Sequence, residues 1–124
     1  MCIRDRYIYM ASNFYVKTSR SISTTLTTVG SYVVAAATST TVIGLEVANT
    51  LSGSLSAQSI IIDATVNDGT NDTYIVRNAL VPGGSSIVLV GGDQKIVLNT
   101  GYSVKVKSDT ANSADVIMSV LELT

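Results

Sequence analysis

Apolar and polar residues alternate along most of this chain, with the period of a β-strand rather than that of a helix. Within 59–66, Ile60, Ile62, Ala64 and Val66 share one side and Ile61, Asp63 and Thr65 the other. Tyr102, Val104 and Val106 alternate with Ser103, Lys105 and Lys107. Ile43, Leu45 and Val47 form one side of a run at 41–48. Further strand-forming runs lie at 14–17, 22–29, 32–35, 73–77, 87–90, 95–98 and 114–123. Between them stand Gly, Asn, Asp and Ser, which favour turns for backbone reasons. The sharpest turn signal is Asn67-Asp68-Gly69-Thr70-Asn71-Asp72, because Asp-Gly between two alternating runs specifies a hairpin. Ala35-Ala36-Ala37 is too short to nucleate a helix in water. About eight to ten strands with short links and no helices between them predict an all-β chain. The expected architecture is an antiparallel two-sheet sandwich, jelly-roll-like or Ig-like.

A half-buried strand needs only one apolar side, yet several runs here have two. Ile87-Val88-Leu89-Val90 is apolar on both sides, and the runs around Val97 and from Val116 to Leu121 nearly so. Val42 and Ile61 also fall opposite the sides expected to be buried. Such residues either lie in central strands covered by loops or form a subunit interface. Low charge together with apolar outer sides favours the interface. The candidate interface residues are Ile61, Val88, Val90, Val97, Ile117 and Leu121.

Composition narrows the picture. Charged residues make up 14% of the chain, against about 25% in an average soluble domain. The net charge of −1 supplies no field to attract nucleic acid or an anionic membrane. No stretch reaches the roughly 20 mostly apolar residues of a spanning helix. The hexapeptide Met1-Cys2-Ile3-Arg4-Asp5-Arg6 matches the translation of the transposase end sequence used in sequencing libraries (ATG TGT ATA AGA GAC AG). Residues 1–9 are therefore expected to be a non-native or disordered leader, with a start at Met10 and one sandwich domain over 10–124. Cys2, the only cysteine, falls inside that leader.

Catalytic chemistry has little to draw on, and no enzyme is expected. The chain has no His, so the usual general base and metal ligand is missing. Its nine acidic residues are spread among turns and strand ends, where carboxylates bond local backbone. Asp68 and Asp72, around Gly69, are a weak calcium candidate without the register of an EF-hand loop. Pro82-Gly83-Gly84-Ser85-Ser86 and Gly91-Gly92-Asp93-Gln94-Lys95 lack P-loop spacing and are expected to be turns. No cofactor is expected. Tyr15, Tyr32, Tyr74 and Tyr102 lie in separate strands without a basic stripe, which suits packing better than stacking on a glycan or a single strand of nucleic acid.

Several segments carry a resemblance. They are Thr24-Thr25-Leu26-Thr27-Thr28-Val29 running into Tyr32-Val33-Val34-Ala35-Ala36-Ala37-Thr38, and Val42-Ile43-Gly44-Leu45-Glu46-Val47-Ala48-Asn49. Val81-Pro82-Gly83-Gly84-Ser85-Ser86, 91–98 and 114–122 complete the set. From Thr24 onward the chain resembles small β-sandwich virion structural proteins of tailed bacteriophages. It departs from them at Ala35, where a proline often stands. The resemblance implies a capsid-, neck- or tail-associated component of the virion, with no catalytic residues; together with the apolar outer sides, the expectation is a self-associating subunit that also touches other virion proteins. The rival expectation is a carbohydrate- or receptor-binding module such as a fibre tip or adhesin domain. A binder should show exposed aromatics beside polar groups in a concavity, and a building block a flat aliphatic patch.

Overall fold

The structure is a computed structural model and describes residues 12–51 and 58–124. The expected leader and the start at Met10 lie outside the described residues. Nine strands follow in order: β1 (Ser12–Ile22), β2 (Thr27–Val33), β3 (Ser39–Asn49), β4 (Ile60–Asn67), β5 (Asp72–Val81), β6 (Ser86–Val90), β7 (Ile96–Leu98), β8 (Ser103–Ser108) and β9 (Ala114–Leu123). All strand pairings are antiparallel. One sheet has the order β1-β9-β3-β6, with β7 also on β3, and the other the order β2-β8-β4-β5.

The pairing has a simple logic. β4 pairs with β5, β3 with β6 and β7, β2 with β8, and β1 with β9. The chain is thus one long hairpin whose tip is the Asn67–Asp72 turn. Folding the hairpin over places alternate pairs in opposite sheets, and the β3–β9 and β4–β8 pairings close each sheet. That is a jelly roll. Of the two architectures the sequence left open, the pairing selects this one and not the Ig-like order.

Alternation fills the space between the sheets. Ile60, Ile62 and Ala64 of β4, Val104 and Val106 of β8, and Val116, Met118 and Val120 of β9 are all buried. Two expectations shift. Ile22 closes β1, and 27–33 is a single strand running through Gly30-Ser31, where a turn was expected. Gly30 and Ser31 both have positive φ (60° and 53°), and the β2–β8 register shifts across them. A bulge of this kind bends a strand without ending it. It also brings Gly30 against β1, where an added Cβ would lie 2.9 Å from the Cβ of Lys17.

Val42 is a further correction, since it is fully buried in the core. The register against β9 runs Val42↔Val120 and then Gly44↔Ser119, so Ile43 is an extra residue. The bulge reverses the strand's phase: Thr40 and Val42 point inward before it, Leu45 and Val47 after it.

Polar groups inside the roll are paired. Tyr32 Oη donates to Glu122 (2.5 Å) and lies 2.7 Å from the Thr40 hydroxyl, joining β2 of one sheet to β9 and β3 of the other. Burial, followed by the bond to Glu122, pushes the Tyr32 phenol up to about 12. Asn49 donates to the carbonyls of Gln58 and Val81 (2.6 and 3.0 Å) and accepts from the Leu51 N–H (3.0 Å). Asp63 accepts the N–H of Asn78 (2.7 Å), a residue with φ of 61° where the β5 ladder is irregular.

Candidate functional site

The two outer faces of the roll differ in kind. On the five-stranded sheet, residues pointing away from the core are Phe14 and Val16 of β1, Ile117 and Leu121 of β9, Thr41 and Glu46 of β3, Val88 of β6 and Val97 of β7. Their cross-strand register puts them on one surface: Phe14↔Leu121↔Thr41↔Val97, Val16↔Ser119↔Gly44, and Ile117↔Glu46↔Val88. Phe14 is 73% exposed, Val16 64%, Val97 63%, Val88 61% and Ile117 50%. Isolated surface aliphatics are ordinary, whereas a contiguous apolar face marks a contact surface. Glu46 is set into the middle of these rows, and Arg20 stands exposed on the same side toward the end of β1.

Of the six residues singled out from the sequence, the structure gathers Val88, Val97, Ile117 and Leu121 on this face. Ile61 lies on the opposite outer face, half-buried, with its N–H bonded to Asp109 (3.0 Å) and Leu80 across from it on β5. Val90 does not belong to any surface, being only 1% exposed. The β3–β6 register explains the error. Glu46 opposes Val88 but Leu45 opposes Val90, so Leu89 is an extra residue and the phase of β6 reverses there. Sequence reasoning missed Phe14 and Val16, because 14–17 reads as an ordinary short strand.

The surface is shallow. Gly44 sits opposite Ser119 where a larger pair would fill the middle of the sheet. On one side is a depression of about 320 Å³ lined by Glu46, Val88 and Ile117 among others. On the other is a depression of about 230 Å³ lined by Phe14, Tyr15, Val16, Ile43, Ser119 and Val120. Ser119 borders both.

The four-stranded sheet presents a polar outer face. Lys107 pairs with Asp63 (3.7 Å) and Lys105 stands opposite Thr65 and Thr28. The Arg77 guanidinium lies over the exposed Tyr74 ring, 5.1 Å from its centre, and Leu80 is exposed farther along β5.

The calcium candidates are turned toward their own loop. Asp68 accepts the N–H groups of Thr70 (3.0 Å) and Asn71 (2.7 Å), and these bonds hold its carboxyl below the usual range. Asp72 accepts from Thr65 and Asn67 (3.2 and 2.9 Å). The hairpin itself accounts for both. The tyrosines divide: Tyr32 is buried, Tyr102 half-buried, and Tyr15 and Tyr74 are exposed on different sheets. Lys17 Nζ lies near both Tyr15 and Tyr32, 5.0 and 4.8 Å from the ring centres.

No protein-family model matches the chain, and no curated protein does. Solved structures do. The structure of Bacillus endospore appendages, described as a family of disulfide-linked pili, aligns with a TM-score of 0.52 at 14% identity, covering 93% of this chain and 88% of that one. The likeness is one of fold. Two others overlap more loosely. A chain of the T13 IBDV viral particle gives a TM-score of 0.45 at 11% identity, over 90% of this chain and 31% of that one. A pentameric capsid protein from metagenomic phage sequences gives 0.35 at 15% identity, over 90% and 60%.

Proposed function

We propose that this chain is a structural protein of a virion, a self-associating subunit attached to the capsid, neck or tail of a tailed phage, and not an enzyme. The observation that carries the reading is the outer face of the five-stranded sheet. Phe14, Val16, Val88, Val97 and Ile117 all stand in water there, and covering them with protein removes that cost. The phage assignment draws on the sequence resemblance described above. Support also comes from the jelly roll itself, a fold shared with a protein described as forming pili. The carbohydrate-binding alternative fits less well. Beside Phe14 and Tyr15 the depression is lined by Val16, Ile43, Val120 and a single serine, Ser119, whereas a sugar site needs convergent polar groups next to its aromatic rings.

Light scattering tests the assembly. At micromolar concentration the mass should exceed that of one chain, and Val97→Lys with Ile117→Lys should return it to one. A monomeric wild-type chain overturns the self-association. Peptide mass spectrometry of purified particles tests the location, and particles that lack the chain overturn the virion assignment.

A further inference from the structure

We propose that copies of this chain associate head to tail. The apolar face of one copy seats on the outer face of the next copy's four-stranded sheet, so that Glu46 meets Arg77. This rests on the self-association proposed above and specifies its geometry.

Glu46 sets the constraint. It sits in a cross-strand row between Ile117 and Val88, and it has no hydrogen-bond or ion-pair partner among the described residues. A dry contact on this face must therefore either provide a cation or bury a bare carboxylate, which is costly. A two-fold contact centred on Glu46 brings it against a second Glu46, and like charges brought together out of water repel; the face's Arg20 lies away from that centre, toward the end of β1.

The complement is present on the same chain. On β5, Arg77 lies with exposed Tyr74 on one side in sequence and exposed Leu80 on the other. The apolar–carboxylate–apolar row Val88–Glu46–Ile117 thus has a counterpart in Tyr74–Arg77–Leu80, apolar–cation–apolar. The guanidinium is already ordered over the Tyr74 ring at 5.1 Å, and arginine is the cation best suited to a partly dry carboxylate contact. The neighbouring Lys107 is already engaged with Asp63. Because the two surfaces differ, the contact is heterologous. Repeating it gives a closed ring or an open stack.

Charge exchange on the full chain tests the geometry. Glu46→Lys and Arg77→Glu each change one exposed side chain, and each should run at the mass of one chain. An equimolar mixture should assemble again, with both variants in equal amounts. At every other contact the introduced lysine of one variant meets the introduced glutamate of the other, and at the contacts between them the unchanged Glu46 meets the unchanged Arg77. Recovery on mixing also shows that neither variant had unfolded. If Arg77→Glu assembles like wild type, the contact does not pass through Arg77. The head-to-tail geometry then falls and self-association stands. A mixture that stays monomeric also overturns it. A wild-type chain that is itself monomeric overturns both this geometry and the self-association beneath it.

Discussion

Replacing Tyr32 by Phe removes one hydroxyl from the junction between the sheets, and its effect has a pH signature. The hydroxyl donates to Glu122 at 2.5 Å and lies 2.7 Å from Thr40, so its loss leaves a carboxylate without its donor. Hydrogen bonds to charged groups contribute about 1.5–3 kcal/mol. Tyr32→Phe should therefore lower unfolding stability by about 1–3 kcal/mol near pH 8. The folded-state pKa of the phenol is about 12, against about 10 in an unfolded chain. A value raised by folding means a contribution that is whole below about pH 10 and drains away as pH climbs toward 12. Two pKa units correspond to about 2–3 kcal/mol. That figure is an upper bound, because Glu122 is only half-buried and water screens the pair. Urea unfolding of wild type and variant at pH 8, 10, 11 and 12 would measure both terms. The wild type should lose stability across that window, and the gap to Tyr32→Phe should narrow as it does. A constant gap from pH 8 to 12 would show that the Tyr32 proton is not held by this junction.

Three other outcomes follow from the geometry. Val90→Ala should cost about 1.5–3 kcal/mol as a core deletion, whereas Val88→Ala, two residues away on the surface, should cost under about 0.5 kcal/mol. Equal costs in chemical denaturation would refute the bulge at Leu89. Gly30→Ala should destabilise by about 1–3 kcal/mol, because it adds a Cβ at positive φ that meets Lys17; a neutral result in thermal unfolding would refute the close approach of β2 to β1. Asp68 is held below the usual carboxyl range, so its contribution is present at neutral pH and lost as pH falls through that depressed value. Asp68→Asn should flatten that part of the acid unfolding curve, and calcium should restore nothing; a calcium-dependent rise in melting temperature would reopen the loop as a metal site.

The sequence carried the strands and the two-layer class because alternation is a local signal. Ile60–Ile62–Ala64 and Val104–Val106 face inward as their period requires. Strand order was not local. It depends on which distant runs pair, and the runs share the same β-branched composition. The errors at Val42 and Val90 have one cause. Ile43 and Leu89 are extra residues in bulged ladders, and no residue type there announces a bulge. Counting by twos across such a point puts every later side chain on the wrong side. The candidate surface was half legible for the same reason: its members in regular stretches, Val97, Ile117 and Leu121, do point to the outer side. Phe14 and Val16 were missed because nothing in so short a run marks which side faces the core. Ser12 through Val16 are all exposed, so both sides of β1's first half meet water.

The positions of β8 and β9 also constrain how the protein is made. They are the last two strands, yet each is an interior strand: β9 lies between β1 and β3, and β8 between β2 and β4. A ribosome delivering the chain from its amino end can release the β4–β5 hairpin and the β3–β6 pair early. Neither sheet becomes continuous until the final strands emerge. Until then the inner sides of β1 and β2 have no lateral partner, and the nascent polypeptide exposes sticky edges to its neighbours. Closure is therefore late and of high contact order, which makes for slow folding and leaves little room for a stable partial product. A nonsense codon between β7 and β8 should yield not a smaller sandwich but separate β3–β6–β7 and β4–β5 ribbons with nothing to join them to β1 and β2, fit for aggregation or proteolysis.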